Sequence, residues 1–256
     1  MLPRLHLFEW NDQAWLPEVL RRGETDYLAA VIDWARPFSP VAPELAALVA
    51  RHGGRVVDLA SGGLGPWRTL RDEVAAAGAG AAPEVTLTDL YPNLAAFERS
   101  GLPHERGPVD AREVPATLPG IRTMFDALHH HRPADARAIL ADAHRAGAPI
   151  VVAEATSRRV PVILVSLVLI PLLVLVMTPR IRPLSGWRLL FTYLIPILPL
   201  LIWWDGIVSC LRTYRPAELE ALTAGLDGYR WQAREVRGRG SIVTYLIGEP
   251  VAPSPS

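Results

Sequence analysis

Apolar positions along the chain recur with two different periods, and one stretch has almost no polar positions at all. Thr25–Trp34 (TDYLAAVIDW) spaces Tyr27, Leu28, Val31 and Ile32 along one helical face, with Thr25 placed as N-cap, and Pro40–His52 repeats the amphipathic pattern. Arg55-Val56-Val57 is a short β-branched run closed by Asp58. A glycine-rich turn follows at Ser61–Gly65, and a helix that can start at Pro66 runs over Trp67–Ala77, with Gly78 as its stop signal. Further strands are expected at Glu84–Thr88, ending in Asp89, and at His104–Val109, ending at Asp110-Ala111. Two more are expected at Thr123–Leu128, followed by His129-His130-His131, and, after a helix at Pro133–Ala146, at Pro149–Glu154. Strands alternating with helices in this way predict a doubly wound α/β sheet with right-handed crossovers.

Beyond Thr156 the pattern breaks. Val160–Met177 carries no charge, Leu189–Trp204 carries none, and Arg180, Arg182 and Arg188 lie between them. A helix over the first run spans roughly 27 Å, close to the roughly 30 Å hydrocarbon core of a bilayer. Short translocated loops usually lack such basic charge, and Pro171, Pro196 and Pro199 interrupt the helices. Trp187, Tyr193, Trp203 and Trp204 suit a lipid–water boundary. The expectation is a monotopic hairpin over Val160–Trp204, embedded in the cytoplasmic leaflet and placing the protein at the cytoplasmic face of the membrane. The alternative is a pair of helices buried in the domain or in a homodimer interface. Asp205–Leu211 and Pro216–Leu226 then read as a broken helix, and Tyr229–Val236 and Ser241–Ile247 as an antiparallel edge pair that completes seven strands. Arg212-Thr213-Tyr214 is either a substrate contact or a solvated turn. The expected domains are a helical cap over 1–52, a cofactor-binding core over 53–157, the insertion over 158–204, a return to the core over 205–249, and a tail over 250–256 of disordered composition.

Composition narrows the chemistry. The chain has 256 residues with 26 basic and 26 acidic side chains, so nothing electrostatic favours nucleic acid. The single cysteine, Cys210, excludes a disulfide framework and a cysteine-based zinc site. The N-terminus carries Arg4, Glu9 and Asp12 without an apolar run behind them, so no signal peptide is read. The N-terminal helices either pack on the sheet edge or act as a lid that brings Tyr27 or Trp10 over a ligand. In the glycine turn, glycines allow positive φ and close backbone approach, and the helix N-terminus offers unpaired N–H groups. Asp89, at the end of the second strand, is placed to accept hydrogen bonds from ribose hydroxyls, or else to cap the helix after Pro92. The three histidines suggest a metal, but neighbours at a strand end point to opposite faces, so no metal is expected. One of them could act as a general base.

The runs VVDLASGGLG, TLTDLYPN, GPVDAREVP, FDALHHHRP and PIVVAEAT, in that order, resemble the class I S-adenosylmethionine-dependent methyltransferases over Arg55–Thr156, and the resemblance resumes at Asp205–Glu249. It implies S-adenosylmethionine as cofactor and a seven-stranded Rossmann-like sheet. Asp58, Ala60, Ser61, Gly62, Gly63 and Gly65 would face its methionine part. Asp89, with Leu90 beside it, would hold the ribose, Asp110 and Ala111 would flank the adenine, and Ala127 and His129 would line the crevice. The acceptor would be small and lipophilic, methylated by in-line displacement, with His129, His130 and Tyr27 as candidates for a base. The chain departs from the family where Ala60 replaces the first glycine and Leu64 interrupts the glycine spacing. Two other readings stand beside this one. A nucleotide-binding oxidoreductase would use the turn and distant acid, although SGGLG is not GxGxxG and Asp110 has no role there. A non-catalytic membrane-associated protein could retain the fold, and Ala60 and Leu64 speak for it.

Overall fold

The computed structural model describes residues 2–238 and 241–251. In chain order the elements are α1 (Glu18–Ala35), α2 (Ala42–His52), β1 (Arg55–Asp58), α3 (Trp67–Val74), β2 (Glu84–Leu87), α4 (Leu94–Ser100), β3 (Ile121–Phe125), α5 (Pro133–Arg145) and β4 (Ile150–Glu154). Then come α6 (Val160–Met177), α7 (Gly186–Leu189), α8 (Ile197–Arg212), α9 (Pro216–Thr223), β5 (Tyr229–Arg237) and β6 (Ile242–Pro250). They divide into two compact units. One joins the N-terminal residues through Ala35 to Thr156–Thr213, and the other joins Arg36–Ala155 to the chain from Tyr214 onward.

The second unit is built on a sheet of order β2-β1-β3-β4-β6-β5. β1, β2, β3 and β4 run parallel, and β6 is antiparallel to both β4 and β5. β3 and β4 are buried at every position, as strands covered on both faces must be. On one face Ile139, Leu140 and Ala143 of α5 pack on Val57, Met124, Val152 and Leu246 of the sheet. Phe38 and Trp67 meet Phe125 edge-on at 4.9 and 5.6 Å.

Among the described residues the sheet has six strands where seven were expected. The predicted strand at His104–Val109 is reduced to one parallel bridge between Leu87 and His104, because Pro103 and Pro108 have no N–H to donate to a ladder. Other boundaries also move. Thr25 is not an N-cap: α1 starts at Glu18, and the Thr25 hydroxyl donates to the Arg21 carbonyl one turn back at 2.9 Å. The helix predicted to Ala77 is α-helical only to Val74 and ends in a wider turn over Ala75–Ala79, where Gly78 takes φ 117°. The strand expected through Leu128 ends at Phe125, and Leu128–His130 form a 3₁₀ turn. Pro250, assigned to the tail, is the last residue of β6 and pairs with Tyr229, whereas 252–256 of the predicted tail lie outside the described residues. The predicted cap over 1–52 divides at Ala35, since Leu45, Leu48 and Val49 of α2 are buried in the sheet unit.

The first unit is helical. α1 packs on α6 and α8, with Gly23 so close to Leu198 that an added methyl carbon would lie 2.6 Å from it. α8 meets α6 in the same way, at Gly206 against Ile170. The insertion was expected to end at Trp204, but no element ends there: α8 runs unbroken to Arg212, and the buried Asp205 carboxylate within it accepts the backbone N–H groups of Trp10 at 2.8 Å and Asn11 at 2.9 Å. The expected interruption between Leu211 and Pro216 is present, since α9 starts at Pro216. Another break lies earlier, between Gly186–Leu194 and Ile197–Arg212, which meet at 76°. Pro199 sits in the first turn of α8, where its missing N–H costs nothing. Arg188 is not an exposed loop charge: it is buried and paired with Asp26 of α1.

α6 also passes through Pro171 without interruption. A proline at that position leaves the carbonyl of Leu167, four residues back, without its helical donor. The Trp203 indole N–H takes its place at 3.1 Å. The same substitution recurs one coil further on. Pro179 cannot bond the Leu175 carbonyl, and the Tyr193 hydroxyl does. The Thr178 hydroxyl and the Arg180 guanidinium bond the neighbouring carbonyls of Val174 and Val176. An ordinary hydrogen bond of this kind contributes about 0.5–1.5 kcal/mol net. Trp203→Phe, which removes the donor and little else, is therefore expected to destabilise the chain by about 1 kcal/mol, and by clearly less in a Pro171→Ala background where the backbone N–H is restored. Equilibrium denaturation of the four proteins of this cycle measures the coupling, and additive effects would refute the compensation.

Candidate functional site

In an open α/β sheet a ligand crevice forms beyond the carboxyl ends of the strands where the strand order reverses. Here that point lies between β1 and β3, since β1 is followed in sequence by β2 on one side and flanked by β3 on the other. A cavity of about 580 Å³ in the same unit, lined by Gly120, Arg122, Asp142 and Pro149, lies at the amino ends of β3 and β4, away from this crevice.

Asp58 closes β1. It is buried, and its carboxylate accepts the Thr123 hydroxyl of β3 and the Ser61 hydroxyl of the glycine turn, each at 2.7 Å. Its backbone carbonyl accepts the Thr88 hydroxyl at 2.8 Å. Asp58 thus joins the ends of three strands to the turn, and this internal role was not visible in the sequence. Burial pushes its carboxyl up to about 6, against the pull of Ser61, Trp67 and Thr123. The turn itself is contorted. Ala60, Gly62 and Gly65 all take φ between 53° and 58°, and Leu64 takes 148°. Ala60 and Leu64, the two departures from the glycine pattern, therefore hold backbone that glycine adopts more easily. A methyl at Gly65 would come within 3.5 Å of the Asp58 carboxylate, whereas one at Gly62 would meet nothing within 4 Å. Gly63 lies half-buried between them.

Asp89 stands across from the turn. It accepts the Gly62 N–H on one oxygen and the Tyr91 N–H on the other, both at 2.8 Å. It is not an N-cap: Asn93 caps α4 by accepting the Ala96 N–H at 3.1 Å. Leu90 and Tyr91 beside it are exposed. The Val109 N–H bonds the Asp89 carbonyl at 2.9 Å, which brings Asp110 and the buried Ala111 alongside. Asp110 is held below the usual carboxylate range by its hydrogen bonds to Arg112, which also reaches Asp135 at 2.9 Å.

At the ends of β3 and β4 the structure adds a constellation that residue spacing did not reveal. Ala127 is buried, and His129 follows on the 3₁₀ turn. His129 Nδ1 lies 2.5 Å from a Glu154 carboxylate oxygen, and the His129 N–H donates to the other at 3.1 Å. Both side chains are buried. Glu154 was read only as the last residue of a strand, although its place beside the end of β3 was the available signal. Asp126 accepts the Ala155 N–H at 2.6 Å, and burial together with the Glu154 charge pushes its carboxyl up to about 8. The histidines do not alternate as at a strand end. The His130 ring lies on that of His129 at 4.2 Å between centroids, and the His131 carbonyl accepts the Tyr214 hydroxyl at 2.8 Å. Burial, with the His130 charge, holds His131 below the usual imidazole range. Tyr27 belongs to the other unit, where it packs among Leu16, Val174 and Leu198, and burial raises its phenol above the usual range. Arg212 is buried there too, against Glu9 at 3.1 Å and Asp12 at 2.7 Å, so it is not part of a solvated turn.

The Asp58 shift has a definite sign. An acid whose folded value is raised from 3.8 to about 6 destabilises the fold as pH climbs through that window and is fully tolerated below it. Wild type should lose about 2 kcal/mol from this source between pH 4 and 7. Asp58→Asn, which mimics the protonated acid, should lack that part of the slope. Urea denaturation of both proteins across the window checks this, and parallel pH profiles would refute it.

No family model matches the chain, and no curated protein matches its sequence. Its structure is similar to several solved ones. An O-methyltransferase of neocarzinostatin biosynthesis, crystallised with S-adenosylmethionine and 2-hydroxy-5-methyl naphthoic acid, is 18% identical over 91% of this chain and 59% of its own, with a TM-score of 0.50. Human N-acetylserotonin methyltransferase, with S-adenosylmethionine, is 15% identical over 91% and 58%, at 0.49. A putative zinc-dependent alcohol dehydrogenase from Rhodobacter sphaeroides is 12% identical over 90% and 98%, also at 0.49. The chain thus spans less than two thirds of the length of the first two. The likeness establishes the fold: this chain carries a Rossmann-like α/β fold similar to that of the neocarzinostatin-pathway O-methyltransferase.

Proposed function

We propose that the chain is an S-adenosylmethionine-dependent methyltransferase that acts on a small lipophilic acceptor at the cytoplasmic face of a membrane. The observation that carries the first half of this reading is the turn tied by Asp58 at the switch point of the sheet, with Asp89 aimed across it. The residues fit such a cofactor. The open space above Gly62 admits a ligand against bare backbone, and each Asp89 oxygen uses one lone pair on an N–H and keeps another for a ribose hydroxyl. Asp58, Ser61 and the residues through Gly65 shape the floor under the methionine part, and Asp110 and Ala111 stand where an adenine would lie. S-adenosylmethionine, when bound, supplies an electrophilic methyl group on a sulfonium. The chain contributes alignment, which is the larger part of the rate in such displacements. His129 takes the proton of a hydroxyl acceptor. Its Nδ1 is held by Glu154, which fixes the tautomer and the orientation of the ring.

The membrane half of the reading rests on the first unit. The most apolar window of Val160–Arg180 has a mean hydropathy of 3.0, yet only 17% of it is buried. Leu164, Val168 and Leu172, at successive turns, are all more than half exposed. A soluble monomer rarely leaves so large an apolar face in water. Near the end of α6 the carbonyls of Val174, Leu175 and Val176 each accept a side-chain donor, as suits a helix with little water around it. α1 packs along the same helices and carries the exposed charges Glu18 and Arg22, which favours a hairpin lying in one leaflet with α1 on its water side over one that crosses the bilayer.

Asp89→Ala should lower affinity for S-adenosylmethionine by roughly 10- to 100-fold, as loss of a charge-assisted contact predicts. Isothermal titration of the folded variant decides, and wild-type affinity would remove Asp89 from the site. The triple substitution Leu164→Glu, Val168→Glu, Leu172→Glu changes exposed positions only. It is expected to abolish flotation with phospholipid vesicles while leaving cofactor titration unchanged. Flotation at the wild-type level would remove the hairpin from the membrane.

A further inference from the structure

The helical unit holds a cavity of about 450 Å³ that the reaction above does not use. Its walls include Phe8, Trp10, Trp15, Leu200, Trp203 and Trp204, all apolar or aromatic. The rings brace one another: Trp10 stands edge-on to Phe8 at 5.0 Å and to Trp15 at 5.7 Å, and Phe8 leans on Trp204 at 5.4 Å. The cavity is thus preformed, and its size is that of a small-molecule site. Two of its indole N–H groups are already committed. Trp203 donates to Leu167, as described above, and Trp204 donates to the Phe8 carbonyl at 3.0 Å. These walls therefore offer ring faces and methyl groups. A polar or planar acceptor needs placed donors and acceptors to orient it, whereas a hydrocarbon chain needs none.

The mouth of the cavity indicates where such a chain comes from. Leu200 is 62% exposed and Ile197 38%, and both line the cavity. Beyond them Leu194 and Ile195 continue the exposed apolar surface of the hairpin. The opening is therefore continuous with the face assigned above to the lipid. We propose that this cavity takes one acyl chain of a membrane phospholipid. The proposal rests on the membrane reading for the origin of the lipid. The pocket would hold the hairpin at a fixed depth, because a chain seated between tryptophans ties the unit to an individual lipid as well as to the leaflet.

The tryptophans report on their own occupant. Full-length protein in detergent is titrated with a phosphatidylcholine brominated on its acyl chains, a contact quencher of indole emission. Quenching should saturate near one lipid per chain. Leu200→Phe partly fills the mouth at an exposed position that folding does not depend on, and should raise the half-saturation point at least tenfold. Quenching that climbs in proportion to the brominated fraction without saturating, or a Leu200→Phe protein indistinguishable from wild type, would overturn the proposal. Vesicle flotation of wild type separates this result from the membrane reading. Flotation with unsaturable quenching defeats the cavity alone, whereas saturable binding without flotation supports the cavity and defeats the membrane reading.

Discussion

The buried carboxylate of Asp58 is the constraint on which the sheet unit turns. A charge at that depth is costly, and the chain satisfies it by converging hydroxyls from Ser61 and Thr123 on it and Thr88 on its backbone carbonyl. Those residues come from the turn, from β3 and from the end of β2. Once they meet, the turn can close only through left-handed backbone, and it does so even at Ala60, where a side chain makes that conformation unfavourable. The floor of the crevice is thereby held before any ligand arrives. Preorganisation of this kind lets a binding site spend its energy on the ligand rather than on ordering a loop.

The helical unit solves a different problem by related means. Its helix α6 is almost wholly apolar and contains Pro171, which breaks its own hydrogen bonding. Trp203 and Tyr193 return donors to the carbonyls that Pro171 and Pro179 leave open. The same aromatic side chains lie where the unit presents its apolar surface. The tryptophan content of this segment thus follows from backbone accounting as much as from a preference for an interface.

Much of the architecture was legible in the sequence because it depends on local patterns. Short β-branched runs ending in an acid, glycines at the turn after the first, and a charge-free run of helical length each specify their element without reference to the rest of the chain. Val160–Met177 is a helix over the expected residues, and the parallel strands fall within a few positions of their predicted bounds. The errors arose where a residue has a distant partner. The apolar insertion was read as ending at Trp204, where the charge-free run stops, but Asp205 lies inside a continuous α8 because Trp10 and Asn11 bring their N–H groups to its carboxylate across the unit. His104–Val109 read as a strand from its place in the order of motifs, while its prolines prevented a ladder.

The sequence by itself determined the fold class, the order of the six strands that form and of the helices between them, and the acidic and glycine positions around the crevice, since all of these follow from periodicity and residue type over a few neighbours. Only the tertiary structure decided that Asp58 faces inward as a tie, that Glu154 holds His129, and that Pro171 and Pro179 are answered by aromatic donors from a later segment. Each of those is a contact between residues 18 to 65 positions apart. Pairings of that range depend on which strand ends and helices packing brings together, and no local pattern in the chain records them.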